Sequence, residues 1–248
     1  MLFAVPLLVA ATVAYSQGPP PCRTDQVARP EPLLREADVM WCKRVWRTID
    51  LADPVNRPLT MSSDTTAACG AFFEVLRFCL TQEASMTAYD PGPAGTDDGF
   101  TRSFRPAELD SLLDRLQPED VVGYRIKEDW IFEKQGSRLV VRIIGLAPLV
   151  EVRGSDGEFS GTRVLFWAYW PECRKALAQW PAARALPDGS RPSYENLFSG
   201  RRFTSSVVKV SNMQDRSLHE VLTGIDAIRE AMKLERQLHD LERDLWHY

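Results

Sequence analysis

Apolar and polar side chains alternate most regularly in the middle of the chain, between residues 121 and 146. The segments 121–132 (VVGYRIKEDWIF) and 137–146 (SRLVVRIIGL) are rich in β-branched and aromatic residues, which favour extended strands. The polar, glycine-containing connection EKQG between them has the length of a hairpin loop. A further apolar run at 163–170 (RVLFWAYW) predicts another strand, which Pro171 is expected to end. The pattern therefore predicts a mainly antiparallel sheet in the centre of the fold.

The first part of the chain has a different spacing. Between residues 33 and 51, apolar side chains recur every three or four positions, and this predicts an amphipathic helix. Residues 63–84 show a similar pattern and predict a second helix. A short helix is expected at 106–116, after a loop of composition DPGPAGTDD at 90–98.

The last part of the chain returns to helical spacing. A short helix is expected at 172–180 and an edge strand at 203–210. A capping box begins at Ser217, and the apolar stripe that follows it predicts one long helix that continues to Leu245. Together the elements predict an α+β fold with N-terminal helices, a central mainly antiparallel sheet and a long C-terminal helix.

The N-terminus predicts export and divides the chain into three parts. Residues 1–16 form an apolar run that ends in small residues, which is typical of a signal peptide. Residues 17–31 form a proline-rich, flexible leader, and residues 32–248 form a single α+β domain. A membrane-spanning helix needs roughly 20 apolar residues, so no direct membrane span is expected. Cys22 follows three prolines, a context that disfavours lipidation of this cysteine.

Charge and cysteine content exclude some classes of function. The formal net charge is -4, with 30 basic and 34 acidic residues, so nucleic acid is not an expected partner. Cysteines are too sparse and irregular for a disulfide scaffold, and their odd number leaves at least one without an intrachain partner. Sequence alone does not assign the disulfide state of the five cysteines, which are Cys22, Cys42, Cys69, Cys79 and Cys173.

Familiar catalytic and metal-binding patterns do not occur in this sequence. The three histidines, His219, His239 and His247, all lie on the predicted terminal helix, away from any Gly-x-Ser-x-Gly motif. Cysteine and histidine do not recur at the spacing of zinc ligands, and no glycine-rich segment has the lysine of a phosphate-binding loop. We therefore expect no cofactor, no metal and no catalytic residue.

Glu128 and Asp129 are the most suggestive pair of carboxylates in the chain. In a strand they point to opposite faces, so they cannot flank one bond as the carboxylates of a glycosidase do. Glu128 shares its face with Ile126 and Trp130, and an unpaired charge is costly in such surroundings. We therefore expect a basic partner for Glu128, in a structural ion pair.

Two alternative functions follow from the same residues. A glycan- or peptide-acting enzyme of the periplasm would be centred on Glu128. A monomeric periplasmic binding module would use some of the seven tryptophans as an aromatic groove. Aromatic residues at helical or strand spacing more often belong to a core or a protein interface.

Several runs, in chain order, resemble one family. They are EADVMWCKRVWRTIDL at 36–51, NRPL at 56–59, IKEDWIFEKQGSRLVVRIIG at 126–145, LFWAYWPECR at 165–174, residues 194–212, and LERDLWHY at 241–248. In these runs the chain is similar to the GldN/PorN family of gliding-motility and type IX secretion proteins.

The resemblance implies a non-enzymatic structural protein of the periplasm. It implies a ring built from copies of the chain together with an outer-membrane lipoprotein, GldK/PorK-like, which holds the ring at the inner face of the outer membrane. It also implies contact with the periplasmic part of the motor-like GldM/PorM protein. The candidate partner-binding residues within the matching runs are Trp41, Trp46, Arg47, Lys127, Asp129, Trp170 and Arg174.

Overall fold

A computed structural model describes most of the chain: residues 22–61, 70–93, 95–136, 138–183 and 191–211, and the separate helical positions 229, 232, 233, 236 and 240. Within these residues a single seven-stranded sheet is formed. Its strands are β1 Val39–Asp50, β2 Ala88–Tyr89, β3 Val121–Glu133, β4 Arg138–Arg153, β5 Phe159–Val164, β6 Trp167–Tyr169 and β7 Ser206–Val210. The order is β2-β6-β4-β3-β1-β7, with β5 also paired to β4, and every pairing is antiparallel. The predicted antiparallel sheet is therefore confirmed.

Helices cover one face of this sheet. The α-helices are α1 Phe72–Thr81, α2 Pro106–Leu113, α3 Trp170–Leu177 and α4 Tyr194–Ser199, and short 3-10 helices occupy Glu36–Asp38, Pro54–Leu59 and Pro118–Asp120. Phe72 of α1 lies at the centre of the main core, where its ring centroid is 5.0 Å from that of Tyr124 on β3 and 5.2 Å from that of Phe198 on α4. We call this side of the sheet the helix-covered face.

The opposite side of the sheet is covered in part by residues 95–104. Phe100 of this segment packs edge-on against Trp167 of β6, with ring centroids 6.1 Å apart. Gly145 of β4 lies directly beneath, and a Cβ atom at this position would come within 2.6 Å of the Phe100 ring. Glycine is therefore required here by the close approach of the loop to the strand. We call this side the loop-covered face.

The predicted helix at 33–51 is wrong, because the structure contains strand β1 in its place. Val45 and Ile49 are fully buried on the helix-covered face, and the neighbouring Trp46 is buried on the other. A strand that is apolar on both faces produces apolar residues at spacings of three and four, and these imitate a helical repeat. The local β-branched and aromatic content of VMWCKRVWRTID was the better guide.

The other predicted helices and strands differ from the structure in their bounds, whereas α4, β2 and the 3-10 helices were not predicted. One predicted strand at 163–170 is divided into β5 and β6, and Pro171 lies in the first turn of α3, where its missing N–H costs nothing. The edge strand at 203–210 is confirmed, with β7 at the end of the strand order. The predicted C-terminal helix falls outside the described residues, except for five exposed helical positions between 229 and 240.

Residues 22–35 have no regular secondary structure but are attached to the folded part. The Thr24 N–H donates to the backbone oxygen of Gln179 at 2.8 Å. Further along, Glu31 forms an ion pair with Arg174 of α3 at 2.7 Å. The described part of the predicted leader thus follows the surface of α3 as an extended strap. Within the described residues, no helix is both long enough and apolar enough to cross a membrane.

Candidate partner-binding surface and its ion pairs

Glu128 lies in the middle of β3, on the helix-covered face, between Val45 of β1 and Ile143 of β4. Its side chain is fully buried, and its Oε1 atom is 2.6 Å from Nη1 of Arg201. The indole Nε1–H of Trp130 donates to Oε2 at 3.1 Å. Both carboxylate oxygens are therefore occupied by donors from the same chain.

Arg201 reaches Glu128 from the turn after α4. Its backbone φ is +48°, in the left-handed region that non-glycine residues seldom adopt. The guanidinium also lies over the Phe203 ring, with Cζ 5.6 Å from the centroid. An unfavourable backbone conformation is thus maintained where the side chain neutralises a buried carboxylate. A general base must be within hydrogen-bond reach of its substrate, and the 0% exposed Glu128 carboxylate lies beneath Arg201 and Trp130.

Asp129 lies on the loop-covered face and has a different partner. Its two oxygens accept from Nε and Nη2 of Arg44 on β1, at 2.7 Å and 2.8 Å. This is the two-pronged geometry in which arginine binds a carboxylate most specifically. The adjacent acids of β3 therefore belong to two separate ion pairs on opposite faces of the sheet.

Lys127 is the buried cation of the loop-covered face. Its ammonium group donates to the backbone oxygen of Asp98 at 2.7 Å and to its carboxylate at 2.9 Å. The other oxygen of Asp98 accepts from Nε1 of Trp46 at 2.6 Å. The same ammonium lies 5.2 Å from the Phe100 ring centroid, within the range of a cation–π contact. Lys127 therefore attaches the 95–104 segment to the sheet.

Most of the predicted partner-binding residues make contacts inside the chain. Trp170 is 1% exposed in the main core, and Arg174 binds Glu195 of α4 at 2.7 Å as well as the strap. Arg47 donates from Nε to the Ser205 hydroxyl at 2.8 Å. Trp41 differs from Trp170, because it is partly exposed and packs against a small cluster outside the main core.

Trp41 belongs to a part of the sheet that extends beyond the covering helices. This sheet wing consists of residues 39–44 of β1, 129–133 of β3 and 138–142 of β4. On the helix-covered face it presents four half-buried apolar side chains, which are Trp41, Trp130, Leu139 and Val141. On the other face Met40 is 63% exposed. The sheet wing is the candidate partner-binding surface of the described residues.

The partners of the two buried charges were missed from sequence. Asp98 lies in a segment that its composition identified only as a loop, and nothing in that segment points to Lys127. Arg201 follows Gly200 in what reads as an ordinary turn, 73 residues from Glu128. The one available signal was that a buried charge needs a partner, and that signal does not say which residue supplies it.

Among the described residues, neither the buried thiols nor the grouping of possible metal-binding side chains indicates a reactive centre. Burial raises the pKa of the Cys79 thiol to about 12 and raises the pKa of Cys173 well above its ordinary value. Both thiols are therefore protonated at neutral pH and poor nucleophiles. Across the described ranges, no three His, Cys, Asp or Glu side chains are grouped so that they could hold a metal ion.

The cysteines of the described residues differ in state. Cys22, at the start of the strap, is disulfide-bonded. Cys42 on the sheet wing, Cys79 on α1 and Cys173 on α3 are free thiols. A disulfide at Cys22 is typical of a protein that folds in an oxidising compartment.

The chain matches a known protein family. A model of the family described as gliding motility associated protein GldN matches residues 34–247, which is most of the chain. No curated protein matches the sequence significantly.

Proposed function

Because the chain belongs to the GldN family of gliding motility associated proteins, we propose that it is a structural, non-enzymatic subunit of the type IX secretion and gliding machinery. In this proposal, copies of the chain assemble with a GldK/PorK-like outer-membrane lipoprotein into a periplasmic ring. The ring contacts the periplasmic part of a GldM/PorM-like motor protein. The lipoprotein holds the assembly at the inner face of the outer membrane.

Family membership carries this proposal, and the buried charges support it. Glu128, the residue best placed for catalysis by its sequence, uses both oxygens to bind Arg201 and Trp130. Lys127 is equally occupied by Asp98. Charges of this kind stabilise one arrangement of strands and loops, which suits a subunit that must present the same surface in every copy.

The exposed apolar residues of the sheet wing support a role in assembly. Protein interfaces are enriched in tryptophan and methionine relative to the rest of the surface. Trp41 and Trp130 are partly exposed at the surface of the sheet wing, and Met40 is largely exposed. The disulfide at Cys22 supports export to an oxidising compartment, as periplasmic assembly requires.

The experiment is sedimentation of the mature protein with and without a GldK/PorK-like lipoprotein that lacks its lipid. We expect a stoichiometric complex larger than one copy of each chain. A matched pair of variants, Trp41→Asp on the sheet wing and Val55→Asp on the exposed 3-10 helix after β1, tests the surface. The first should reduce the complex and the second should not. Monomers alone, at concentrations well above those in the cell, would contradict the proposed function.

A further inference from the structure

The end of β4 and the start of β5 form a hairpin that projects from the sheet. Every residue from 151 to 160 is exposed, on both faces of the two strands. The pairing continues from Glu151, opposite Thr162, to Arg153, opposite Phe159, and a tight turn closes it at Gly154 and Gly157. We call residues 151–161 the hairpin arm.

The hairpin arm carries apolar side chains that its own chain leaves uncovered. Phe159 is 60% exposed and Val152 is 37% exposed. Two exposed acids, Asp156 and Glu158, precede Phe159 in the connection between β4 and β5, and neither forms an ion pair with any residue that the structure describes. An exposed aromatic residue beside unpaired acids is suited to an apolar surface with a basic border.

The sheet wing has the complementary character. Its helix-covered face is apolar except for Lys43, whereas its loop-covered face carries the Arg44–Asp129 and Arg138–Glu133 ion pairs. Lys43 lies on the helix-covered face between Trp41 and Val45 of β1, and the exposed Lys134 borders the wing in the β3–β4 turn. Among the described residues, neither lysine has an ion-pair partner. The helix-covered face of the wing and its border therefore combine partly exposed tryptophans with lysines that have no described ion-pair partner.

The hairpin arm and the sheet wing lie at opposite ends of the same strand. The wing uses the first five residues of β4 and the arm uses its last three. A strand rises about 3.3 Å per residue, so the 16 residues of β4 separate the two surfaces by up to about 50 Å. Complementary surfaces at opposite ends of one rigid element cannot meet within a copy. Such surfaces can meet only between copies, and a head-to-tail contact of this kind closes into a ring when the rotation per copy allows.

We propose that the hairpin arm of one copy docks on the sheet wing of the next copy, with Phe159 against the Trp41–Trp130 surface and the two acids near Lys43 and Lys134. The inference rests on the proposed function, because it identifies the surfaces through which copies of the chain contact one another in the ring.

The arm is small, and this sets the conditions for a test. Stable protein interfaces generally bury more than about 1,000 Å², and the short hairpin arm contributes only part of this. The contact is therefore weak between free copies in solution. It becomes strong when the lipoprotein holds neighbouring copies side by side, because a second, intramolecular contact benefits from a high effective concentration. The test is made on the complex with the lipoprotein for this reason.

Variants with reversed charges test whether the arm docks on the wing of a second copy. An arm variant, Asp156→Lys with Glu158→Lys, sets lysine against lysine. A wing variant, Lys43→Glu with Lys134→Glu, sets acid against acid. We expect each variant alone to bind the lipoprotein. The amount of large assemblies, measured by mass photometry, should fall at least tenfold. An equal mixture of the two variants should restore them, because every arm then meets a wing of opposite charge.

Two further variants separate the proposal from general effects of charge and folding. Asp114→Lys with Glu119→Lys changes two exposed acids at and after the end of α2, and should leave assembly unchanged. Phe159→Ser keeps all charges and should weaken assembly as the arm variant does. Large assemblies that persist in the arm, wing and Phe159 variants overturn the docking while leaving the proposed function intact. Failure of the unaltered chain to bind the lipoprotein contradicts the proposed function itself. If assembly is lost in the single variants and the mixture does not restore it, the arm does not dock on the wing of a second copy.

Discussion

Replacing Arg201 tests whether Glu128 is a structural residue. The variant Arg201→Asn removes the guanidinium but keeps a residue that tolerates the left-handed backbone at φ +48°. Glu128 is then left fully buried with the Trp130 indole as its remaining donor. Removing one partner of a buried ion pair costs about 3–5 kcal/mol. The Arg201 side chain is 36% exposed, so water screens part of this interaction and we expect about 2–3 kcal/mol.

Urea unfolding of the mature protein measures this loss. With a slope of about 3 kcal/mol per molar urea, the midpoint should fall by about 0.7–1 M. The neighbouring Arg202→Asn is the matched control, because Arg202 is exposed and forms no ion pair among the described residues. Glu128→Gln should lower the free energy of unfolding by less, about 1.5–2 kcal/mol, because the amide oxygen can still accept from the Trp130 indole. Midpoints of Arg201→Asn and Arg202→Asn that agree within error would refute the structural role of the pair.

Three more predictions concern other buried groups. Asp98→Asn leaves the Lys127 ammonium without an anion, so amide exchange in residues 95–104 should accelerate while exchange in the centre of β3 stays slow; equal protection in the variant and the parent would contradict this attachment. Burial raises the pKa of Cys79 from about 9.0 to about 12, so the contribution of this thiol to stability should be complete below pH 9 and decline as pH rises to 12. At pH 8 a maleimide should label Cys42 in the native protein before Cys79. Burial lowers the pKa of Arg125 to about 10, and no described acid pairs with it. Arg125→Met should therefore raise the free energy of unfolding by about 1 kcal/mol in thermal or urea melts. A lower free energy of unfolding in this variant would contradict the reasoning.

The sheet could be predicted from sequence where one strand face differs from the other. In β3, Tyr124 and Ile126 are buried on the helix-covered face while Asp129 and Glu133 lie on the opposite face, and this alternation marks a strand. In β1, Val45 and Trp46 are buried on opposite faces, and the alternation disappears. Burial on both faces depends on which segments pack above and below the strand. That information is not contained in the local pattern.

The contacts of the candidate surface were less predictable than the fold. The need of Glu128 for a cation followed from its apolar neighbours, but Arg201 is brought to it by the turn after α4 and by no local signal. Trp170 and Arg174 were predicted to bind a partner because their run resembles the family, but both are buried and their described contacts lie within the monomer. Exposed residues of the hairpin arm and the sheet wing become recognisable only when both ends of β4 are seen together.

Electron microscopy of the chain co-expressed with a GldK/PorK-like lipoprotein tests the central claim most directly. The claim is that this GldN-family protein is a ring-building subunit. We predict closed rings or arcs in which both proteins are present in constant ratio, and shorter arcs or single complexes when the hairpin arm carries Phe159→Ser. A purified complex that contains both proteins only as isolated pairs, with neither arcs nor rings over a range of concentrations, would contradict it.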